Sequence, residues 1–267
     1  MSVEYHQLTT TEARELGAAG GVVVVPIGAT EQHGPHLPLG TDFIMAHTVA
    51  TRAAEQVEGV LVTPPIWTGF SPHHMQFAGT VSLRTNTLMA VIRDVAESLW
   101  HHGIRRILFL NGHGGNANML GAAAQSLRFE SQVRIAVASY WNFATEKIAT
   151  WRQSPLGGIN HACEMETSLM LAAHGEQVHA EKATNTPHVV SNPYLGNDLL
   201  GAGAVATPWD FTEITTDGTL GHPELATAER GEDLLTAITQ GVVDFLSDFK
   251  NWDWQDPQTI IGRDDAR

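Results

Sequence analysis

The run "GVVVVPIG", Gly21 to Gly28, sets four consecutive valines before a Pro/Gly exit. A short, continuous β-branched run reads as a strand buried on both faces, as in parallel sheets covered by helices. "GVLVTPPI" (Gly59–Ile66), "RRILFLNGHGGN" (Arg105–Asn116) and "VRIAVASYW" (Val133–Trp141) repeat the pattern, the first two running into Pro or Gly. Between them, Thr41–Val57, Thr85–Gly103 and Asn116–Glu130 carry apolar residues at three- and four-residue spacing, which predicts helices. Thr85 or Asn86 is a cap candidate, and Gly103 a stop. Two further helices are expected over Cys163–Gly175 and His222–Phe249, the latter weakened or bent near Gly231 and Gly241. Strands alternating with helices predict βαβ units: an α/β fold with a mostly parallel sheet between two helical layers.

The chain has 267 residues, enough to bury a substantial core, and no repeat or linker divides it, so one domain over 1–267 is expected. The segment 183–218, rich in Pro, Asn, Thr and Gly, is long for a connection; such loops serve as lids or subunit contacts. A formal charge of −14 repels phosphate backbones and anionic membranes, which argues against nucleic-acid and membrane partners. The single cysteine, Cys163, forms no intrachain disulfide and fits a reducing compartment. With no secretory signal pattern and no apolar run near the ~20 residues of a membrane span, a cytoplasmic location is expected.

Ligands of open α/β sheets bind at the carboxyl ends of strands. The loop "GATEQHGPHLPLGTDF" (Gly28–Phe43) follows the first strand and holds Glu31, His33, His36 and Asp42. "NGHGGN" follows the third strand with His113, and "HACEMETS" adds His161, Glu164 and Glu166. Mixed imidazole and carboxylate donors without paired thiolates suit Zn²⁺, Mn²⁺ or Fe²⁺, and eight candidates suffice for two ions with supporting groups. Asp42 heads a helical pattern, so capping competes with ligation there. His36, between Pro35 and Leu37, reads better as a brace for the loop than as a ligand. Glu164 and Glu166 lie two apart and cannot share a helix face, so at least one does not bind metal. Cys163 reads as a packed residue, and His101, His102 and His188 as surface or interface residues.

With these blocks in view, the sequence resembles the creatininase (creatinine amidohydrolase) family. "GATEQHGPHLPLGTD", "FAGTVSL", "NGHGGN", "SYWNF", "HACEMETSLML" and "GTLGHPELATAERGE" resemble its signatures in order, from about Val23 to Glu232. The resemblance implies a three-layer α/β/α fold, a hexamer, a dinuclear metal centre and hydrolysis of amide-type C–N bonds in small or cyclic substrates. By motif position, Glu31 and His113 bind one metal and His33 the other, with Asp42 bridging. His161 takes the place of a catalytic histidine that moves protons beside the activated water.

The sequence also departs from the family pattern. Creatininases proper carry Tyr-Glu at Gly114–Gly115, where the Glu is a ligand, and a shielding Trp at Gly157. The missing carboxylate is then assigned to Glu164, with Glu166 orienting His161 or a ligating imidazole. Backbone amides at Gly114 and Gly115 are expected to help hold an oxyanion, with His74, Trp141 and Trp209 as pocket walls. The altered walls argue against creatinine itself. Formamide hydrolysis, or cleavage of a C–C or lactone bond in an inosose-type cyclic polyol ketone, are alternative activities. A metal-stabilised binding protein on the same scaffold is a further alternative, disfavoured because structural zinc sites prefer cysteines.

Overall fold

Val22–Ile27 (β1), Val60–Val62 (β2), Arg106–Asn111 (β3) and Ala136–Ser139 (β4) form a parallel sheet in the order β2-β1-β3-β4 in a computed structural model of the chain. The structure describes residues 2–186, 192, 194–196, 198–201 and 203–261; His188 lies outside them. All six residues of β1 are buried, because helices cover both faces of the sheet. Val22, Val24, Leu108 and Leu110 pack against Thr41–Ala54 (α2), Glu164–His174 (α6) and Ala228–Phe249 (α7). Val23, Val25, Ile27, Ile107 and Phe109 point the other way, onto Thr85–His101 (α3) and Ala117–Ser126 (α4). The two-residue side-chain period of a strand thus builds one core on each face, giving the three-layer α/β/α arrangement. Among the described residues, no helix is long and apolar enough to cross a membrane.

The strands match the expected segments, though β2 is only three residues long before Pro64 and Pro65 end it. The expected weakening of the last helix is corrected: α7 runs unbroken for 22 residues. Gly231 and Gly241 instead allow close packing, since a Cβ would collide with the Ser168 carbonyl at the first and the Phe143 carbonyl at the second.

The chain moves from β1 to β2 on one side and later returns to place β3 on the other. Their shared carboxyl edge is therefore a topological switch point, where a crevice opens. Six residue pairs hold β1 to β3, and the ladder continues one step further, with Gly112 N–H donating to the Ile27 carbonyl at 2.8 Å. A separate antiparallel pair, Ile159–His161 (β5) with Leu220–Gly221 (β6), brings His161 to the same edge.

Candidate metal centre

Asp42 lies in the first turn of α2, and its two oxygens face different histidines. Oδ1 is 3.0 Å from His33 Nε2, and Oδ2 is 3.1 Å from His113 Nδ1. Glu31 Oε1 stands 3.3 Å from the same His113 nitrogen and 3.8 Å from His161 Nδ1, while Glu166 Oε1 stands 3.9 Å from His33 Nε2. All six side chains are buried. The loop Gly28–Gly40 reaches this geometry partly through Gly34, at φ +62°, where a Cβ would run into Thr219. Gly112 gives α2 its approach, since a Cβ there would strike the Asp42 carbonyl.

The histidine tautomers are set by the backbone. His33 Nδ1 donates to the Glu31 carbonyl at 3.2 Å, and His113 Nε2 donates to the Phe70 carbonyl at 3.0 Å. Each arrangement turns the other ring nitrogen toward the carboxylates, as in metal-binding histidines held by outer partners. Asn111 supports the turn, its side chain bonding the N–H and carbonyl of His113. Asn116 ties the neighbouring loops together through the Phe70 N–H and the Gly28 carbonyl.

Both oxygens of Glu31, Asp42 Oδ2, Glu166 Oε2 and His33 Nε2 are buried and make no well-formed hydrogen bond among the described residues, although His33 and His113 lie 3.0–3.3 Å from the carboxylates. Leaving such groups unpaired costs roughly 1–3 kcal/mol each, more when charged. Their convergence fits divalent cations, with nitrogen and oxygen donors of the kind taken by Zn²⁺ and Mn²⁺. Without a cation, the carboxylates draw protons onto the imidazoles. Burial alone would lower the pKa of His33, but Asp42, Glu166 and Glu31 raise it to about 9. His113 is likewise raised despite burial, by Glu31 and Asp42. Burial would raise Asp42, but His33 and His113 hold it well below the usual carboxylate range. Burial pushes Glu166 up to about 7. Protons and metal ions therefore compete for the same atoms.

The expected set Glu31, His33, Asp42 and His113 thus converges, and the carboxylate that joins it is Glu166. The assignment of Glu164 as a ligand is corrected by its contacts. Its oxygens accept the N–H groups of Gln153 (2.9 Å) and Ser154 (3.0 Å), with Arg230 at 3.8 Å. Two residues along α6 turn the side chain away from the crevice and onto the loop that leads to β5. Glu164→Gln is expected to cost about 1–3 kcal/mol in urea unfolding while leaving metal content unchanged. Loss of metal would restore Glu164 to the ligand set.

Glu166 faces His33 rather than His161. Instead, His161 Nε2 donates to the Gln32 carbonyl at 2.7 Å, turning Nδ1 toward Glu31. Burial, with His33 and His74 close by, holds its pKa well below 6.5. Ala162, the next residue, is buried at φ +50°, a strained conformation for a residue with a Cβ. That kink turns the chain from β5 into α6, so that His161 and Glu166 both face the crevice. His36 stands apart from the cluster: its Nε2 is 2.9 Å from Thr167 Oγ1, and burial pushes its pKa down to about 4.

Gly114, Gly115, Trp141, Asn160, Leu199 and Phe211 line a cavity of about 190 Å³ above the cluster, together with His73 and His74. His74 Nδ1 accepts from the Gln32 amide at 2.7 Å, and its Nε2 is 3.3 Å from Glu31 Oε1. Trp209 is exposed and absent from this lining; Phe211, two residues on, takes the wall position, 4.0 Å from the His74 ring centroid. His73 and Phe211 escaped the sequence reading because neither lies at the end of a predicted strand, and Gln32, though it sits between Glu31 and His33, because its amide is not a metal donor of the kind sought there. The doublet "HH" in Pro72–Met75 was the one signal for His73.

Comparison with known proteins gives the same frame. Residues 6–246 match the creatininase (creatinine amidohydrolase) family model. A creatinine amidohydrolase of Pseudomonas putida is 31% identical over 92% of this chain and 96% of its own length. A mycofactocin precursor peptide peptidase of Mycolicibacterium smegmatis is 32% identical over 94% and 96%. A 3-dehydro-scyllo-inosose hydrolase of Thermotoga maritima is 28% identical over 88% and 80%. Among solved structures, a manganese creatininase superposes with a TM-score of 0.77 at 31% identity, over 92% of this chain and 98% of that one. A Zn-Zn type creatininase mutant has the same TM-score at 30% identity, over 92% and 97%. The chain belongs to the creatininase family of metal-dependent hydrolases.

Proposed function

We propose that this hydrolase cleaves an amide-type C–N bond in a small, cyclic substrate at a two-metal centre. The observation that carries this reading is the division of Asp42, whose oxygens face His33 on one side and His113 on the other. Glu31 and His113 would hold one ion, His33 and Glu166 the second, and Asp42 both. Zn²⁺ and Mn²⁺ suit the donors best, and Fe²⁺ also fits. The ions would supply Lewis acidity, activating water near neutral pH and polarising the scissile carbonyl.

The chain's own groups do the rest. His161, held neutral by burial, takes a proton at Nδ1 and returns it to the departing nitrogen. The N–H groups of Gly114 and Gly115 begin a helical turn, where the first amides have no acceptor within the helix, and offer donors to the developing oxyanion. Trp141, Leu199 and Phe211 exclude water and give the substrate an apolar wall. A cavity of about 190 Å³ lies below the roughly 300–1,000 Å³ of drug-sized sites and favours a compact ring over an extended chain. Leu39, Trp67, Met75 and Val81 are exposed by 40–53% and offer apolar surface to the homo-oligomer expected for the family.

A second reading, hydrolysis of a C–C or lactone bond in an inosose-type ketone, draws on the Thermotoga maritima relative. The same carbonyl is attacked, but no nitrogen departs. Chelator dialysis is expected to abolish turnover, and Zn²⁺ or Mn²⁺ to restore it. Cyclic amides, formamides and inosose-type ketones are then offered to the reconstituted protein. Release of amine or ammonia supports the first reading and acid formation alone the second. Turnover that survives complete metal removal overturns both.

A further inference from the structure

We propose that His73 is a ligand of the ion held by Glu31 and His113, supplied by the short turn Pro72–His74. The proposal rests on the two-metal reading above. Donor atoms of Glu31, His73 and His113 lie within 4.8 Å of one another, close enough for one ion to reach all three. The His73 and His113 rings are stacked, 8° from parallel with centroids 5.8 Å apart. Glu31 is buried with Oε1 3.3 Å from His113 Nδ1, and neither of its oxygens accepts a hydrogen bond among the described residues.

Donor counting leaves room for this residue. On this side Glu31, His113 and one Asp42 oxygen give three donors, enough for a catalytic zinc, and a fourth would suit an ion that reaches higher coordination, as zinc does in five-coordinate states and Mn²⁺ does more readily. The turn after β3 has no side chain to add: Gly114 and Gly115 are bare, and a Cβ at Gly115 would collide with the His113 ring and the Phe70 carbonyl. The donor atom of His161 groups with those of Glu31 and His33 rather than with His113, and His74 has Nδ1 taken by the Gln32 amide. His73 has no such commitment among the described residues. It is half-buried at the cavity wall, its ring centroid 5.6 Å from that of Phe211.

One consequence is chemical. The Glu31 side gains a second imidazole, while the His33–Asp42–Glu166 side keeps one imidazole with two carboxylates. The nitrogen-richer site then favours Zn²⁺ and the oxygen-richer site Mn²⁺.

The test is metal titration of the full chain by calorimetry, with metal content measured after dialysis and Co²⁺ spectra as an independent readout. Wild type is expected to bind two ions. His73→Ala is expected to retain one tightly and bind the other about 100-fold or more weakly, since even outer-shell partners are worth 10–100-fold. Its cobalt bands should shift, and His73→Glu should recover much of the affinity by restoring a donor. If His73→Ala binds two ions as wild type does, with unchanged spectra, His73 is no ligand and the two-metal reading survives. If wild type itself binds fewer than two, that reading falls and this proposal with it. A circular dichroism melt of each variant separates lost ligation from lost folding.

Discussion

If the site holds two ions as proposed, replacing Asp42 with alanine is expected to empty both positions together and to lower kcat/KM by at least about 10³-fold. The size follows from the several kcal/mol that Lewis-acid stabilisation supplies, at 1.36 kcal/mol per tenfold in rate. Among the described residues Asp42 is the one carboxylate with an oxygen toward each of His33 and His113, so on the proposed two-metal reading its loss removes a donor from both sites. Asp42→Asn, which keeps the shape but not the charge, should fall between the two. Metal content and kcat/KM measured on the same samples decide it. Two retained ions, or full activity in a metal-free Asp42→Ala protein, would refute the bridging role.

The second large effect concerns His161. His161→Asn is expected to keep both ions and lower kcat by about 10²–10⁴-fold, the range for a lost general acid–base. The pH profile provides the sharper signature. Burial and the neighbouring His33 and His74 hold His161 well below 6.5, so its neutral, proton-accepting form persists at neutral pH. Wild-type activity should decline only as pH falls through that lowered value, and the variant should lack this acidic limb. An ion lost from the variant would instead make His161 a ligand, a role its donor atom, within 4.8 Å of those of Glu31 and His33, has the position to take.

The fold was largely readable because the strands are nearly pure apolar runs with Gly or Pro exits, and strand ends mark the crevice of an open α/β sheet. That logic gathered eight candidates, Glu31, His33, His36, Asp42, His113, His161, Glu164 and Glu166, and the resemblance to the creatininase family singled out Glu31, His33, Asp42 and His113 among them. It failed where the answer depends on the rotation of a helix about its own axis. Glu164 and Glu166 have the same chemistry and nearly the same address. Which one faces the crevice depends on how α6 packs, and α6 lies against α7, where Gly231 admits the Ser168 carbonyl. Loop residues were the other gap. His73 and Phe211 arrive from segments without periodicity, and only packing brings Phe211 to 4.0 Å from the His74 ring centroid.

The continuous β1–β3 ladder, extended by the Gly112 to Ile27 bond, has a consequence for how the protein acquires its metals. The loop bearing Glu31 and His33 and the turn bearing His113 leave from adjacent rungs of one rigid pair of strands. Most of the entropy of gathering these donors is therefore spent during folding, before any ion arrives. Ions can then be exchanged on a scaffold that keeps its shape. Metal supply in the cell, as much as the donor set, would decide which form of the enzyme is at work.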